Sequence, residues 1–232
     1  MSTNETLNEF RQIGTEIVKE GVFERFPELV PVFGGNYSSD KHKKLLLVGE
    51  SNYFPDEWED SKSVFKNAEL WYKGENCSLI PEEMQRNVSN WVGDYKLYIN
   101  LFNSMKFVLD KCEITGYKDY LLEEASYYNY FLRPARGIKG KNGFQKDCKP
   151  IDSEVSYIAL CSIIKEKNPD ILIFASKYAW TNFDSYCKKH NQEFTTTKIE
   201  WVNHPSVHFS WHHRYGNGKQ KFEKLLLENW IK

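Results

Sequence analysis

Four short apolar runs, each closed by glycine or polar residues and separated by long stretches of helical spacing, constrain this chain more than any other feature. They are "KLLLVGES" at 44–51, "YYNYFLRPA" at 127–135, "NPDILIFAS" at 168–176 and "KIEWVN" at 198–203. Runs this short and this continuously apolar read as strands buried on both faces, as in a parallel sheet. Between and around them, apolar residues recur every three to four positions. Leu7, Phe10, Ile13 and Ile17 predict a helix over 4–20, and Leu97, Leu101, Met105 and Leu109 another over 91–113. Further helices are predicted over 151–167, with Asp152 as its cap, over 176–190 and over 219–231. Strands alternating with helices predict an α/β fold around a central, mainly parallel four-stranded sheet. No repeat, low-complexity tract or long linker interrupts the 232 residues, so residues 1–232 read as one domain.

Ligands of such sheets bind beyond the carboxyl ends of the strands. Four loops are expected to meet there: Gly49–Trp58, Arg133–Gly143, Ser176–Trp180 and His204–Gly218. Net charge is −1, so contact with nucleic acid has to rest on a local patch rather than on a global field. The five cysteines are scattered, odd in number and never in a CxxC, which predicts reduced thiols in a cytoplasmic protein. The polar start, MSTNETLNEF, does not read as a signal peptide, and no apolar run approaches the roughly 20 residues of a membrane span. A monomer away from the membrane, working without metal or cofactor, is the expectation.

The polar residues at the strand ends each carry two readings. Glu50, directly after Gly49, is placed to act as a general base or to stabilise a cation, or else to cap a helix or pair with a lysine. Asn129, inside an aromatic strand, either ties loops together or offers a donor–acceptor pair to a base edge. Arg133 and Arg136 open a basic run that is a solvated face or a phosphate contact, on a loop loosened by Gly137, Gly140 and Gly143. Tyr53, Phe54 and Trp58 serve as core, as lid or as a stacking surface for a base. "WVNHPSVHFSWHHRYG" at 201–216 holds four of the six histidines. His204, His208 and His212 stand four apart, the spacing of metal ligands on a helix, but Pro205 and Ser206 disfavour one helix through all three. His204 follows a strand and precedes a Pro-Ser turn, which fixes its direction.

These pieces, in this order, resemble the uracil-DNA glycosylase superfamily. "LLLVGESN" resembles its first motif, a strand with Gly and a catalytic acidic or amide residue. "YYNYFLRPA" resembles its middle strand, where an asparagine is followed by Arg-Pro. "PDILIFASKYAW" is similar to its strand-plus-helix motif with lysine, and "VNHPSVHFSWHHRYG" to its closing His-Pro-Ser motif. The resemblance runs from about residue 44 to the C-terminus. It implies a three-layer α/β/α sandwich and hydrolysis of the N-glycosidic bond of uracil or a related damaged or mismatched base in DNA. It further implies Glu50 as carboxylate or water base and His204 as donor to the departing base. Gly49, Ser51, Tyr53, Phe54 and Asn129 would form the base pocket. Arg133, Arg136, Lys177, Ser206, His208, Trp211 and Arg214 would face DNA, with the target base extruded from the helix. Two other readings stand beside this one: a non-catalytic nucleic-acid- or partner-binding protein of the same fold, and a hydrolase of a nucleotide or other small molecule.

Overall fold

The computed structural model of the chain describes residues 21–26, 29–54, 67–74, 96–117, 123–136, 144–205, 208–212 and 217–231. In chain order the elements are helix α1 (Val22–Arg25), strand β1 (Val32–Phe33), strand β2 (Leu45–Phe54), helix α2 (Ala68–Lys73) and helix α3 (Lys96–Lys111). Strand β3 (Ser126–Arg136), a 3₁₀ turn (Phe144–Lys146), helix α4 (Pro150–Lys167), strand β4 (Ile171–Phe174) and helix α5 (Lys177–Lys189) follow. The chain ends with strand β5 (Lys198–Trp201), helix α6 (His208–His212), helix α7 (Gly218–Leu225) and a π-helical turn (Leu226–Trp230).

The described strands form one five-stranded sheet in the order β1-β3-β2-β4-β5. β3, β2, β4 and β5 are mutually parallel, and β1 joins β3 antiparallel. All four apolar runs are therefore strands, but the expected four-stranded sheet has a fifth member. β1 is two residues long, too short to leave an alternating pattern in the sequence. Pairing of Val32 with Tyr127 and of Phe33 with Ser126 holds it, and the Ser126 hydroxyl donates to the Val32 carbonyl at 2.5 Å.

Both faces of the sheet are covered, which is why its strands read as unbroken apolar runs. In β2 the side chains alternate: Leu45 and Leu47 join one core, Leu46 and Val48 the other, all fully buried. β4 repeats this, with Ile171 and Ile173 on one side and Leu172 and Phe174 on the other. The first core is closed by Leu101, Met105 and Leu109 of α3, by Phe222 of α7 and by Trp230. The second is closed by Trp71 of α2, Val155 and Leu160 of α4, and Ala179 and Phe183 of α5. Helix layers thus flank a mainly parallel sheet on either side.

Several boundaries differ from the sequence reading. β2 runs on to Phe54, so Glu50 and its successors belong to a strand, with an irregularity in register between Ser51 and Tyr53. Asp152 does not cap α4 from outside. It lies at the third helical position and accepts the Lys149 backbone N–H at 2.7 Å. The closing helix breaks into α7 and the π turn, where Ile231 N–H reaches back to the Leu226 carbonyl and Lys43 N–H takes the Trp230 carbonyl. The helix expected over 4–20 lies outside the described residues, as does the part of 91–113 before Lys96. No described helix is long and apolar enough to cross a membrane.

Candidate functional site

The strand order fixes where a ligand belongs. From β2 the chain goes to β3 on one side, then returns across β2 to β4 on the other. In sheets of this kind ligands bind beyond the carboxyl ends of the strands where the direction of winding reverses, here β2 and β4. Val48 pairs with Phe174, and the Ala175 N–H donates to the Val48 carbonyl at 2.7 Å. Two residues past that pair, Glu50 and Ser176 stand level with each other. The Ser176 hydroxyl donates to Glu50 Oε2 at 2.6 Å, closing the switch point with a short charge-assisted bond. Glu50 Oε1 accepts the Phe144 backbone N–H at 3.2 Å. Ser176 Oγ also accepts the Ala179 N–H at 3.2 Å, so the residue that grips Glu50 is the N-cap of α5.

β5 continues the same register. Phe174 pairs with Trp201, and the Val202 N–H donates to the Phe174 carbonyl at 2.8 Å. His204 follows two residues after Val202, within electrostatic reach of the Glu50 carboxylate. Burial pushes the His204 imidazole below its ordinary value of 6.5, while the Glu50 charge acts in the opposite direction. The ring is therefore neutral at neutral pH, and it stands within electrostatic reach of Glu50. The two residues assigned catalytic roles from the sequence are brought together.

An aromatic row runs alongside. Tyr178 stacks on Phe131 at 5.3 Å, and Phe131 on Phe144 at 4.5 Å. Burial first, then Cys148 and the Glu50 charge, drive the Tyr178 hydroxyl upward, so it stays protonated. The sequence reading missed Ser176, Tyr178, Phe131 and Phe144 as neighbours of Glu50. For Ser176 a signal existed: "LLLVGE" and "ILIFAS" align residue by residue, so the polar residues that end them fall side by side.

The other sequence-predicted residues divide. Gly49 lies in β2 opposite Asn129, and a Cβ there would collide with the Tyr127 hydroxyl and the Asn129 carbonyl oxygen. Glycine is demanded by this cross-strand packing, not by a ligand. The Asn129 amide is consumed internally: Tyr127 Oη donates to its Oδ1 at 3.1 Å, and its Nδ2 donates to Asn52 Oδ1 at 2.8 Å. It also leaves the sheet on the face opposite Glu50. This is the loop-tying alternative, and it corrects the assignment of Asn129 to a base edge. Ser51 is buried, and its hydroxyl has no hydrogen-bond partner among the described residues.

Two residues expected on the DNA-facing side are core. Arg133 is fully buried. Its Nε and Nη2 donate to both oxygens of Asp152, at 2.8 and 2.6 Å, and Nη2 also to the Asp147 carbonyl at 2.8 Å. Its guanidinium lies 5.1 Å from the Phe144 ring centroid. Trp211 is likewise fully buried, 6.0 Å from Phe222 and against Gly218. Lys177, in contrast, is exposed at the rim. Its ammonium lies 5.3 Å from the Trp201 ring and makes no ion pair among the described residues. Tyr53 and Phe54 end β2 paired with Ala135 and Arg136 at the end of β3. His208 begins α6, and His204 lies outside that helix, so the three four-spaced histidines share no helical face. Ser206 and Arg214 lie outside the described residues.

No family model matches the chain, and no curated protein or solved structure matches it either.

Proposed function

We propose that this protein hydrolyses N-glycosidic bonds, with a uracil-DNA glycosylase-like α/β/α sandwich as scaffold and a damaged or mismatched base in DNA as substrate. The observation that carries this reading is the pairing of a held carboxylate, Glu50, with a neutral imidazole, His204, at the switch point of the sheet. Breaking the C1′–N bond leaves positive charge on the sugar and sends the bonding pair to the base. Glu50 faces the cation and takes a proton from the water that bonds to C1′. His204 donates its N–H to the base oxygen where negative charge collects, a task that suits a neutral ring. The Phe144 N–H and Ser176 O–H hold the carboxylate in orientation. The Tyr178–Phe131–Phe144 row offers an aromatic wall, and Lys177 with Trp201 offers a cation and a ring at the rim for the backbone.

A second reading is favoured by the internal use of Asn129, Arg133 and Trp211. The same Glu50–His204 pair would serve a hydrolase of a free nucleoside or nucleotide, which needs no DNA-facing surface.

The deciding experiment is base release from labelled single- and double-stranded DNA carrying uracil, hypoxanthine or mismatched thymine, with free nucleosides in parallel. Release from DNA that Glu50→Gln and His204→Ala each reduce by about 100-fold or more is expected. Turnover of nucleosides alone would move the assignment to the second reading. No release from any substrate by folded protein would overturn both.

A further inference from the structure

At the β5 edge of the sheet two half-buried tryptophans stack on each other, Trp201 at the end of β5 and Trp180 of α5. Their ring centroids are 5.5 Å apart and their planes 27° from parallel. Two ammoniums converge on the Trp201 ring: Lys221 of α7 lies 4.2 Å from its centroid and Lys177 of α5 5.3 Å. A ring holds a cation in place without neutralising it. Among the described residues Lys177 has no ion pair, and Lys221 has one at long range, to Glu200 at 3.9 Å. Lys177 is exposed, and the Lys221 side chain is 41% exposed. Two like charges gathered on one ring repel each other, and an anion lying across both relieves that repulsion.

The position of the cluster says what that anion belongs to. Val48 pairs with Phe174 and Phe174 with Trp201, so Trp201 shares the sheet face of Val48 and Glu50, two strand spacings or about 10 Å across from Val48. Lys177 directly follows Ser176, whose hydroxyl holds Glu50. Among the described residues no ring but Trp201 stacks on Trp180. Cations beside stacked rings suit a single strand, whose bases are free to stack, whereas a duplex keeps its bases inside. Trp211, the aromatic residue expected to face DNA, is buried in the core. We propose that Trp180, Trp201, Lys177 and Lys221 form a track for single-stranded nucleic acid, with phosphates on the two ammoniums and a base on Trp180, leading to Glu50. The inference rests on the proposed reading that the substrate is a base in DNA. It narrows that substrate to a strand already unpaired, where extruding the target base costs least.

The test is fluorescence anisotropy of the full chain with a short labelled oligothymidylate, which carries no target base, and with the same strand paired to oligodeoxyadenylate. Binding is thereby read apart from chemistry: a protein that bound the strand through these residues but released no base from any substrate would keep the track and lose the glycosylase reading. The single strand should bind about tenfold or more tighter than the duplex. Lys177→Ala and Lys221→Ala should each make the slope of log K against log salt shallower by about 0.7, the value for one phosphate contact on a single strand. Trp180→Ala should weaken binding by about tenfold, and Trp180→Phe, which keeps an aromatic face, should restore most of it. The two lysine variants, both at exposed side chains, decide the matter if Trp180→Ala does not fold. No binding of the strand, duplex bound as tightly, an unchanged salt slope in both lysine variants, or displacement of the strand by inorganic phosphate at matching phosphate concentration would overturn the proposal.

Discussion

Replacing Arg133 by methionine separates a structural arginine from a phosphate-binding one. The wild-type guanidinium and the Asp152 carboxylate are both fully buried and share two bonds of 2.8 and 2.6 Å. Arg133→Met removes both, plus the bond to the Asp147 carbonyl, and leaves Asp152, among the described residues, with the Tyr72 hydroxyl at 2.9 Å and the Lys149 N–H. An uncompensated buried charge of this kind costs about 3–5 kcal/mol, a large share of the roughly 5–15 kcal/mol by which domains are stable. Adding Asp152→Asn removes the stranded charge and keeps one oxygen to accept the Lys149 N–H, while the amide NH2 can donate to the Tyr72 hydroxyl oxygen. The double variant should therefore be less destabilised than the sum of the two singles by about 1–3 kcal/mol. Urea unfolding of the four proteins, followed by circular dichroism, measures the cycle. An Arg133→Met cost below about 1 kcal/mol, or strict additivity, would refute the buried-pair account. A folded Arg133→Met protein whose DNA affinity had lost about one unit of salt slope would instead return Arg133 to the phosphate backbone.

Ser176→Ala removes the donor to Glu50 Oε2 and the cap of α5 together. Loss of a helix cap costs about 1 kcal/mol, seen as a lower melting temperature, and base release should fall while Ser176→Thr, which keeps the hydroxyl, retains most of both. A Ser176→Ala protein of full activity would deny Ser176 a part in positioning Glu50. Imidazole titration by NMR should place His204 below 6.5, and Glu50→Gln should lower it further, because the Glu50 charge is what raises it. The sign for stability follows: a depressed folded value means that the folded state binds fewer protons, so this contribution is present above 6.5 and is lost as pH falls through the lowered value. The proposed activity should decline over the same window as the ring gains charge. An unchanged His204 titration in Glu50→Gln would mean that the two groups do not interact.

What could be read from the chain was whatever depends on continuous local pattern. The runs at 45–48 and 171–174 are apolar throughout because each is covered on both faces, and that showed without any tertiary knowledge. Glu50, Lys177 and His204 were findable for the same reason: each comes two or three residues after the last β2–β4 or β4–β5 pair, Val48 with Phe174 and Phe174 with Trp201. β1 was not legible, since two residues carry no period, and the π turn was not, since its cause is a carbonyl given up to Lys43 from the far end of the sequence.

The polar residues inside β3 were misread for a single physical cause. From the sequence, Asn129 and Arg133 lie four apart on a strand that points toward the crevice, and polarity so near a site suggests contact with a ligand. Their partners, however, are distant in sequence: Asn52 for one, Asp152 for the other. An amide or guanidinium in an aromatic strand is expensive unless it is paired, so the hydrophobicity around them was itself an argument for an internal partner. Glu50 differs in that it is only partly buried, held by Ser176 and Phe144 just past the last β2–β4 pair. Position beyond the last β2–β4 pair, rather than polarity, is what sets Glu50 apart from the polar residues that hold the core together.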